Sequence, residues 1–262
     1  MLVILEYEGV GIEAVVLAAG LGTRFAKAVP KLKLAADVGG VPLMHYPLTS
    51  LTAAGVERVV VVANVRTSSI IKEVVESAPQ IITDNVDVEF IINKAPERGN
   101  GYSLLLAIPS INESRFIVSM ADHIYPPRLV KLIYSASGSV LGGDSSPKYI
   151  DVRESTKIHV EDGRVSRIGK DVRYFEYVDV GVHVLERDLN YRKCSVEDII
   201  ELSSLLECLA RDSIIRVADV AGTPWTEVDT YEDYLEVTSG SRRPVVEEVL
   251  SEWRDLGISV RK

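Results

Sequence analysis

Two glycines and two cations follow the first apolar run of the chain. Gly20 and Gly22 come directly after residues 12–18, and Arg24 and Lys31 come shortly after the glycines. Glycine lets the backbone turn with positive φ and bring its N–H groups close to an anion. Arginine adds a planar fork of donors and lysine a compact positive charge. These residue types in this order predict a polyphosphate-binding loop at the end of a strand.

Two better-known phosphate loops do not match these residues. A dinucleotide fold requires G-x-G-x-x-G, but Phe25 occupies the third glycine position, and a Walker loop requires Gly-Lys-Ser/Thr, whereas Thr23 and Arg24 follow Gly22. The spacing therefore disfavours a dinucleotide-dependent oxidoreductase and a P-loop NTPase.

Two carboxylates stand at positions where they could meet this loop. Asp122 follows the apolar run 116–121, and Asp229 ends the short segment 225–229 before a helix near Tyr231. Carboxylates from two strand ends beside a phosphate loop suit Mg²⁺, which binds through one or two carboxylates plus substrate phosphates. Each aspartate could instead cap a helix, since Asp is a preferred N-cap residue.

The elements that position these residues alternate between strand and helix patterns. Strands are predicted at 12–18, 59–63, 87–93, 115–121, 177–185 and 214–218, a hairpin at 157–160 and 165–168, and helices at 42–54, 68–77, 101–111, 126–136, 195–209 and 244–256. Repeated βα units predict an α/β fold with a doubly wound, mostly parallel sheet and ligands at the carboxyl ends of its strands. The hairpin region, about 140–190, predicts a small β-rich subdomain inside a domain of residues 1–240, with 241–262 forming a helix packed on it.

The bulk composition fits one water-soluble enzyme. The chain has 262 residues, 47% of them hydrophobic, and a net charge of −9, which opposes nucleic-acid binding. No apolar run is long enough to span a bilayer, and residues 1–8 lack the basic region of a signal peptide, so we expect a cytoplasmic protein. Cys194 and Cys208, within or beside one predicted helix, are expected to be buried thiols. A single Gln favours a thermophilic source.

The glycine loop resembles the signature of the sugar-nucleotidyltransferase family, which is a hydrophobic strand, L-x-A-G-x-G-x-R, a short variable loop and Pro-Lys. The match falls on Leu17, Ala19, Gly20, Gly22, Arg24, Pro30 and Lys31. The resemblance implies a Rossmann-like nucleotidyltransferase fold, a nucleotide contact that also includes Ala18 and Thr23, catalytic roles for Arg24 and Lys31, and a Mg²⁺ ion held by Asp122 and Asp229. The short gap before Pro30 resembles the cytidylyltransferase branch.

Motifs farther along the chain resemble the inositol-1-phosphate cytidylyltransferases. They lie at 100–104, 122–125, 156–158, 161–165, 168–170 and 179–181. The resemblance implies CTP and inositol 1-phosphate as substrates and CDP-inositol for di-myo-inositol phosphate synthesis as the product. Members are free proteins or are fused to a membrane phosphotransferase; the apolar stretch of the fusion is missing here, so we expect the free form, its product used by a separate membrane enzyme. Monomer and homodimer are both left open.

The same resemblance assigns roles to the remaining site residues. Glu97, Asn100, Gly101 and Ser103 fall in the segment that reads the base, and Lys170 matches a lysine that meets the acceptor phosphate. Lys157 is expected to assist Lys170, Asp179 to bind acceptor hydroxyls, and His123 to lie near the metal and the acceptor. A helix start after Gly99, a solvated hairpin lysine at 170 and a structural His123 are the alternative readings.

Several functions stay open on the sequence alone. Another nucleotidyltransferase, with choline phosphate, a hexose 1-phosphate or a molybdopterin acceptor, shares the glycine loop. A non-catalytic nucleotide-sensing module on the same fold is a second class, which the joint presence of Arg24, Lys31, Asp122 and Asp229 disfavours.

Overall fold

A computed structural model describes residues 11–26 and 32–259. The first half of the chain contains β1 (Ile12–Ala18), α1 (Thr23–Ala26), β2 (Asp37–Val38), β3 (Val41–Pro42), α2 (His45–Ala53), β4 (Val56–Asn64), α3 (Ser68–Glu76), α4 (Gln80–Asn85), β5 (Asp87–Asn93), α5 (Asn100–Ala107), β6 (Arg115–Met120), β7 (His123–Ile124) and α6 (Pro127–Ser135). The second half contains β8 (Ser139–Asp144), β9 (Lys157–Glu161), β10 (Arg164–Gly169), β11 (Tyr177–Glu186), α7 (Leu202–Asp212), β12 (Ile215–Asp219), β13 (Thr226–Glu227), α8 (Tyr231–Thr238) and α9 (Arg243–Asp255).

Nine of these strands form one mixed sheet in which β1 is central. β5, β4, β1 and β6 are neighbours and run parallel to one another. β11 continues the sheet antiparallel to β6 and also pairs with β8 and β9. The predicted α/β class with a mostly parallel central sheet is therefore confirmed, and the predicted hairpin is β9–β10.

Both faces of the sheet are covered, which explains why β1 is apolar at every position from Ala14 to Ala18. Val16 and Ala18 pack into one hydrophobic cluster, with α2, α3 and α6, whereas Val15 and Leu17 pack into another, with α5 and α7. A strand buried on both faces needs apolar residues at successive positions rather than at alternate ones. The central strand therefore leaves only its ends to carry polar groups.

The C-terminal helix packs on a third cluster. Val249 and Trp253 of α9 are buried against Tyr46 and the β2–β3 hairpin, and the Trp253 indole donates to Ser50 Oγ at 3.2 Å. In the part of the chain that the structure describes, no helix has the length and apolar character needed to span a bilayer.

The prediction of a helix at 195–209 is wrong for the first half of that range. Residues 195–201 are irregular and the helix begins at Leu202. Backbone hydrogen bonds to a distant segment take the place of helical ones. Ile200 N donates to Arg98 O at 2.7 Å, and Tyr102 N donates to Ile200 O at 3.1 Å. Ser195 therefore does not cap a helix.

The prediction of free buried thiols is also wrong, because Cys194 and Cys208 form a disulfide. In one continuous helix, 14 residues of separation would place the two cysteines roughly 21 Å apart along the axis. The irregular segment before α7 folds back instead, and the two Cα atoms are 5.7 Å apart.

Candidate active site

A buried lysine bridges the two predicted metal-binding aspartates. Lys33 Nζ lies 2.6 Å from Asp122 Oδ2 and 3.3 Å from Asp229 Oδ1. Only 10% of the Lys33 side chain is exposed, and the two carboxylates are 15% and 26% exposed. The two aspartates therefore converge on one point, as predicted, and an ammonium group stands at that point.

The electrostatics of this cluster favour its charged forms. Burial opposes a charge on Lys33, but the attraction of Asp122 and Asp229 outweighs burial and raises the lysine pKa above its ordinary value. Burial likewise opposes ionisation of Asp122, but attraction to Lys33 and a hydrogen bond from His123 hold its pKa well below the usual range. The cluster is thus an ion pair at neutral pH.

A short antiparallel ribbon fixes the distance between the aspartates. β7 begins directly after Asp122 and pairs with β13, which ends two residues before Asp229. Val228 N also donates to Asp122 O at 3.1 Å. This ribbon brings two aspartates from distant parts of the chain to one edge of the sheet.

The alternative role of Asp229 as a helix cap does not hold. Thr230 caps α8 and forms a capping box with Asp233. The Asp229 carboxylate is engaged with Lys33 and with Arg24 instead. Asp122 precedes a strand, so it is not an N-cap either.

The glycine loop lies beside this ion-pair cluster. Gly22 has φ of +59° and precedes the single turn α1, and the Arg24 guanidinium donates to Asp229 Oδ2 at 2.9 Å. The Arg24 side chain is 56% exposed, so a phosphate could reach it. Leu17 and Ala19 at the end of β1 are buried. The predicted catalytic Lys31 lies outside the described residues, as does Pro30.

His123 supports Asp122 from the side opposite Lys33. Its Nδ1 lies 2.9 Å from Asp122 Oδ1, its Nε2 lies 3.5 Å from Glu227 Oε2, and its ring stacks on Trp225. Burial works against protonation of His123, but the hydrogen bond and charge of Asp122 raise its pKa to about 8. Burial raises the pKa of Glu227 to about 7.

Most of the predicted polar side chains line one cleft of about 1110 Å³. The seven that line it are Arg24, Asn100, Asp122, His123, Lys170, Asp179 and Asp229. Lys157 is not in the lining: its ammonium is buried and donates to Arg153 O at 3.0 Å and to Lys170 O at 3.1 Å. In this arrangement Lys157 contacts the backbone that carries Lys170, and a direct contact with the acceptor stays a prediction.

The predicted base-reading segment is fastened to the irregular segment before α7. Asn100 Oδ1 accepts from Leu202 N at 2.7 Å, and a Cβ on Gly101 would lie 2.7 Å from Glu201 O. Gly101 is therefore required for close approach of two backbones. Ser103 is buried and accepts from Asn93 Nδ2 at 3.0 Å, whereas Glu97 is exposed and outside the cleft lining. Their contacts with a base stay predictions.

The donor set suits a magnesium ion. Asp122 and Asp229 supply hard carboxylate oxygens of a kind that Mg²⁺ takes, and both already face one cationic group. Two carboxylates leave several coordination positions for water and substrate phosphates. Asp122 and Asp229 are thus the residues that would hold the ion.

Two residues of the site were missed by the sequence predictions. Lys33 lies in the apolar stretch 32–36, where a lone lysine signals a buried charge that needs partners. Glu227 precedes Asp229 by only two residues and lines the same cleft, so a second carboxylate beside a predicted metal ligand was the available signal.

The chain is similar to several known proteins. The family model of the MobA-like NTP transferase domain matches residues 14–145, half of the chain. A bifunctional IPC transferase and DIPP synthase of Archaeoglobus fulgidus is 36% identical over 224 residues, which cover 84% of this chain and 42% of that protein. A protein of the same name from Thermococcus kodakarensis is 33% identical over 225 residues, covering 84% of this chain and 48% of the relative. The chain thus spans about half the length of the curated relatives it matches.

A solved structure agrees with these relatives. The inositol-1-phosphate CTP transferase from T. maritima superposes with a TM-score of 0.80 and 28% identity, over 91% of this chain and 96% of that one. The predicted family, fold class and enzyme class are confirmed by these matches together. The chain belongs to the MobA-like NTP transferase domain family and is a nucleotidyltransferase.

Proposed function

We propose that the protein transfers a cytidylyl group from CTP to inositol 1-phosphate, in a Mg²⁺-dependent reaction that yields CDP-inositol and pyrophosphate. The observation that carries the proposal is the cluster of Lys33, Asp122, Asp229 and Arg24, which lies beside the glycine loop and opens into the cleft. The choice of substrates is supported by the T. maritima protein, which is described as an inositol-1-phosphate CTP transferase.

The reaction needs no general base. A phosphate monoester is largely a dianion near neutral pH because its second pKa is about 6. An oxygen of inositol 1-phosphate forms a bond to the α-phosphorus of CTP. The bond from that phosphorus to the bridging oxygen breaks, and its electron pair leaves with pyrophosphate.

The side chains act by placing and neutralising charge. Arg24 is exposed enough to hold phosphate oxygens with its planar fork, and Lys33 supplies a buried cation beside both aspartates. Lys31, from the signature, is proposed as a further cation on the triphosphate. Asp122 and Asp229 would hold Mg²⁺, which when bound neutralises charge on the transferring group and orients it. Fixed charges of this kind contribute most where the site excludes water.

The part of the cleft lined by Lys170 and Asp179 suits a phosphorylated polyol. Lys170 is exposed at its rim and would meet the acceptor phosphate, while the Asp179 carboxylate lines its wall and would accept from hydroxyl groups. Lys157 would support this surface through its bond to Lys170 O.

A pyrophosphate-release assay tests the proposal. It crosses CTP, UTP, GTP and ATP with inositol 1-phosphate, choline phosphate and glucose 1-phosphate, with and without EDTA. We expect release only with CTP, inositol 1-phosphate and Mg²⁺, and none from Asp122→Asn. Turnover with another pair would replace the substrates, and no release from any pair would favour the sensing module.

A further inference from the structure

A fully buried histidine lies next to the acceptor side of the cleft. His183, on β11, has no exposed surface, and neither of its ring nitrogens has a hydrogen-bond partner among the described residues. A buried polar group without a partner costs stability, and an apolar side chain in its place would not. The residue therefore needs an explanation other than packing.

The side chain that faces His183 is Asp179. His183 Nε2 lies 3.6 Å from Asp179 Oδ1, slightly beyond hydrogen-bond length. That oxygen also accepts from Gly181 N at 2.8 Å. In the described part of the chain no hydrogen bond reaches Asp179 Oδ2, and the carboxylate lines the cleft.

An irregularity in strand β11 makes this contact possible. A regular strand would place residues four apart about 13 Å from each other, but the register of β11 with β8 shifts between Asp179 and His183, and the two side chains come together. Gly181 has φ of +67°, and a Cβ there would lie 2.6 Å from His123 Nε2. The missing side chain lets the His123 ring lie against the strand at Gly181. Burial keeps His183 neutral by lowering its pKa, so one ring nitrogen carries a proton and the other does not.

We propose that His183 is a positioning residue that donates from Nε2 to Asp179 Oδ1 when the acceptor binds, and so turns Asp179 Oδ2 toward a hydroxyl of a phosphorylated polyol. The inference rests on the proposed function and adds a specificity device to it. A shift of roughly 0.5 Å brings Nε2 and Oδ1 within hydrogen-bond range. The imidazole then gains the partner that it lacks in the free protein, and the carboxylate loses the freedom to rotate away from the substrate.

Steady-state kinetics of His183→Leu and His183→Gln test this role. In His183→Leu we expect the KM for inositol 1-phosphate to rise about tenfold, equivalent to about 1.4 kcal/mol. The KM for CTP should change less than twofold, and the Tm should stay equal or rise because an unpartnered polar group is removed. His183→Gln, which retains an N–H donor, should recover most of the acceptor affinity.

His45 provides a matched control. It is also buried, but its Nε2 has a partner, Val74 O, at 2.6 Å, and it lies outside the cleft lining. His45→Leu should therefore lower the Tm and leave both KM values unchanged. A change in the acceptor KM without a loss of Tm indicates a positioning role, whereas a loss of Tm without a change in KM indicates a packing role.

A second measurement does not require turnover. In wild-type protein with ¹⁵N-labelled histidine, inositol 1-phosphate alone should shift the His183 nitrogen resonances in the direction of a stronger Nε2–H hydrogen bond. Unmoved His183 resonances at saturation, or an unchanged acceptor KM in His183→Leu, would overturn the inference. A rise of both KM values with a lowered Tm would also overturn it, because it would indicate general loosening. If the wild-type protein does not turn over inositol 1-phosphate, the proposed function itself is refuted. The wild-type assay is done before any variant is made, so the two failures can be told apart.

Discussion

Replacing Lys33 by methionine should destabilise the protein in the absence of Mg²⁺ and make it respond strongly to the ion. Lys33 Nζ contacts both Asp122 and Asp229, and its side chain is only 10% exposed. Methionine retains most of the side-chain volume and removes the charge. The two carboxylates are then left close together, with Arg24 as the neighbouring cation on Asp229.

The size of the effect follows from the burial of the pair. Removing one partner of a buried ion pair costs about 3–5 kcal/mol. For a domain of this size each kcal/mol corresponds to about 2–4 °C, so the Tm in EDTA should fall by roughly 6–20 °C. A ligand present at a hundred times its Kd restores about 2.7 kcal/mol, so Mg²⁺ should recover a large part of the loss. Wild-type protein should gain less, because its ammonium competes with the ion.

Thermal unfolding followed by tryptophan fluorescence measures these shifts, since Trp225 and Trp253 are both buried. Lys131→Met, at an exposed position on α6, is the matched control and should respond to Mg²⁺ as the wild type does. The kcat of Lys33→Met should fall by about 10²–10³, the usual cost of losing one group that stabilises developing charge. Lys31→Ala should also lower kcat, without a loss of stability in EDTA. Equal Mg²⁺ shifts in wild type and Lys33→Met would refute the reasoning.

Three further changes test other parts of the structure. Gly101→Ala should push the base-reading segment off Glu201 O and raise the KM for CTP in a coupled assay, with a smaller effect on the acceptor KM; unchanged values for both would contradict the close approach. Burial opposes ionisation of Glu13, but hydrogen bonds from two backbone N–H groups and a guanidinium lower its pKa below 4.5, so its stabilisation is present above that pH and is lost as the pH falls. Glu13→Gln should therefore cost about 1.5–3 kcal/mol in urea unfolding at pH 7, and this cost should shrink as the pH is lowered below 4.5. Reducing the disulfide between Cys194 and Cys208 should lower the free energy of unfolding by about 3 kcal/mol and therefore lower the Tm. A variant with both cysteines replaced by serine should show the same low Tm with and without reductant.

The parts of the fold that follow periodicity were predictable from the sequence. β1 occupies 12–18 and β5 occupies 87–93, the predicted bounds, because both are continuous strands flanked by turn residues. The carboxyl-edge position of Asp122 followed from the same pattern. These are local signals, so a single sequence carries them.

The errors arose where distant contacts decide the local structure. Residues 195–201 have a capping residue and helical spacing, yet their backbone is used in bonds to Arg98 and Tyr102. The disulfide was missed for the same reason, since it depends on that departure from the helix. Lys33 was not predicted because the family signature matches Lys31, two residues earlier. Only the tertiary structure shows that Lys33 contacts both aspartates.

The lysine bridge also explains how two partly buried acids can be held together before any substrate arrives. The β7–β13 ribbon fixes Asp122 and Asp229 through backbone bonds, so the carboxylates cannot separate to relieve their repulsion. When two carboxylates lie close together without a cation, repulsion raises the pKa of one of them, and that acid becomes neutral. Lys33 offsets one of the two negative charges from within the protein, and Arg24 adds a second, exposed cation. The site is therefore charged in the free protein, and the cation that we propose would meet carboxylates that are already ionised. Under the proposed Mg²⁺ dependence, the ion would compete with Lys33 for the two carboxylates, so the charge at position 33 would tune the metal dependence of the reaction.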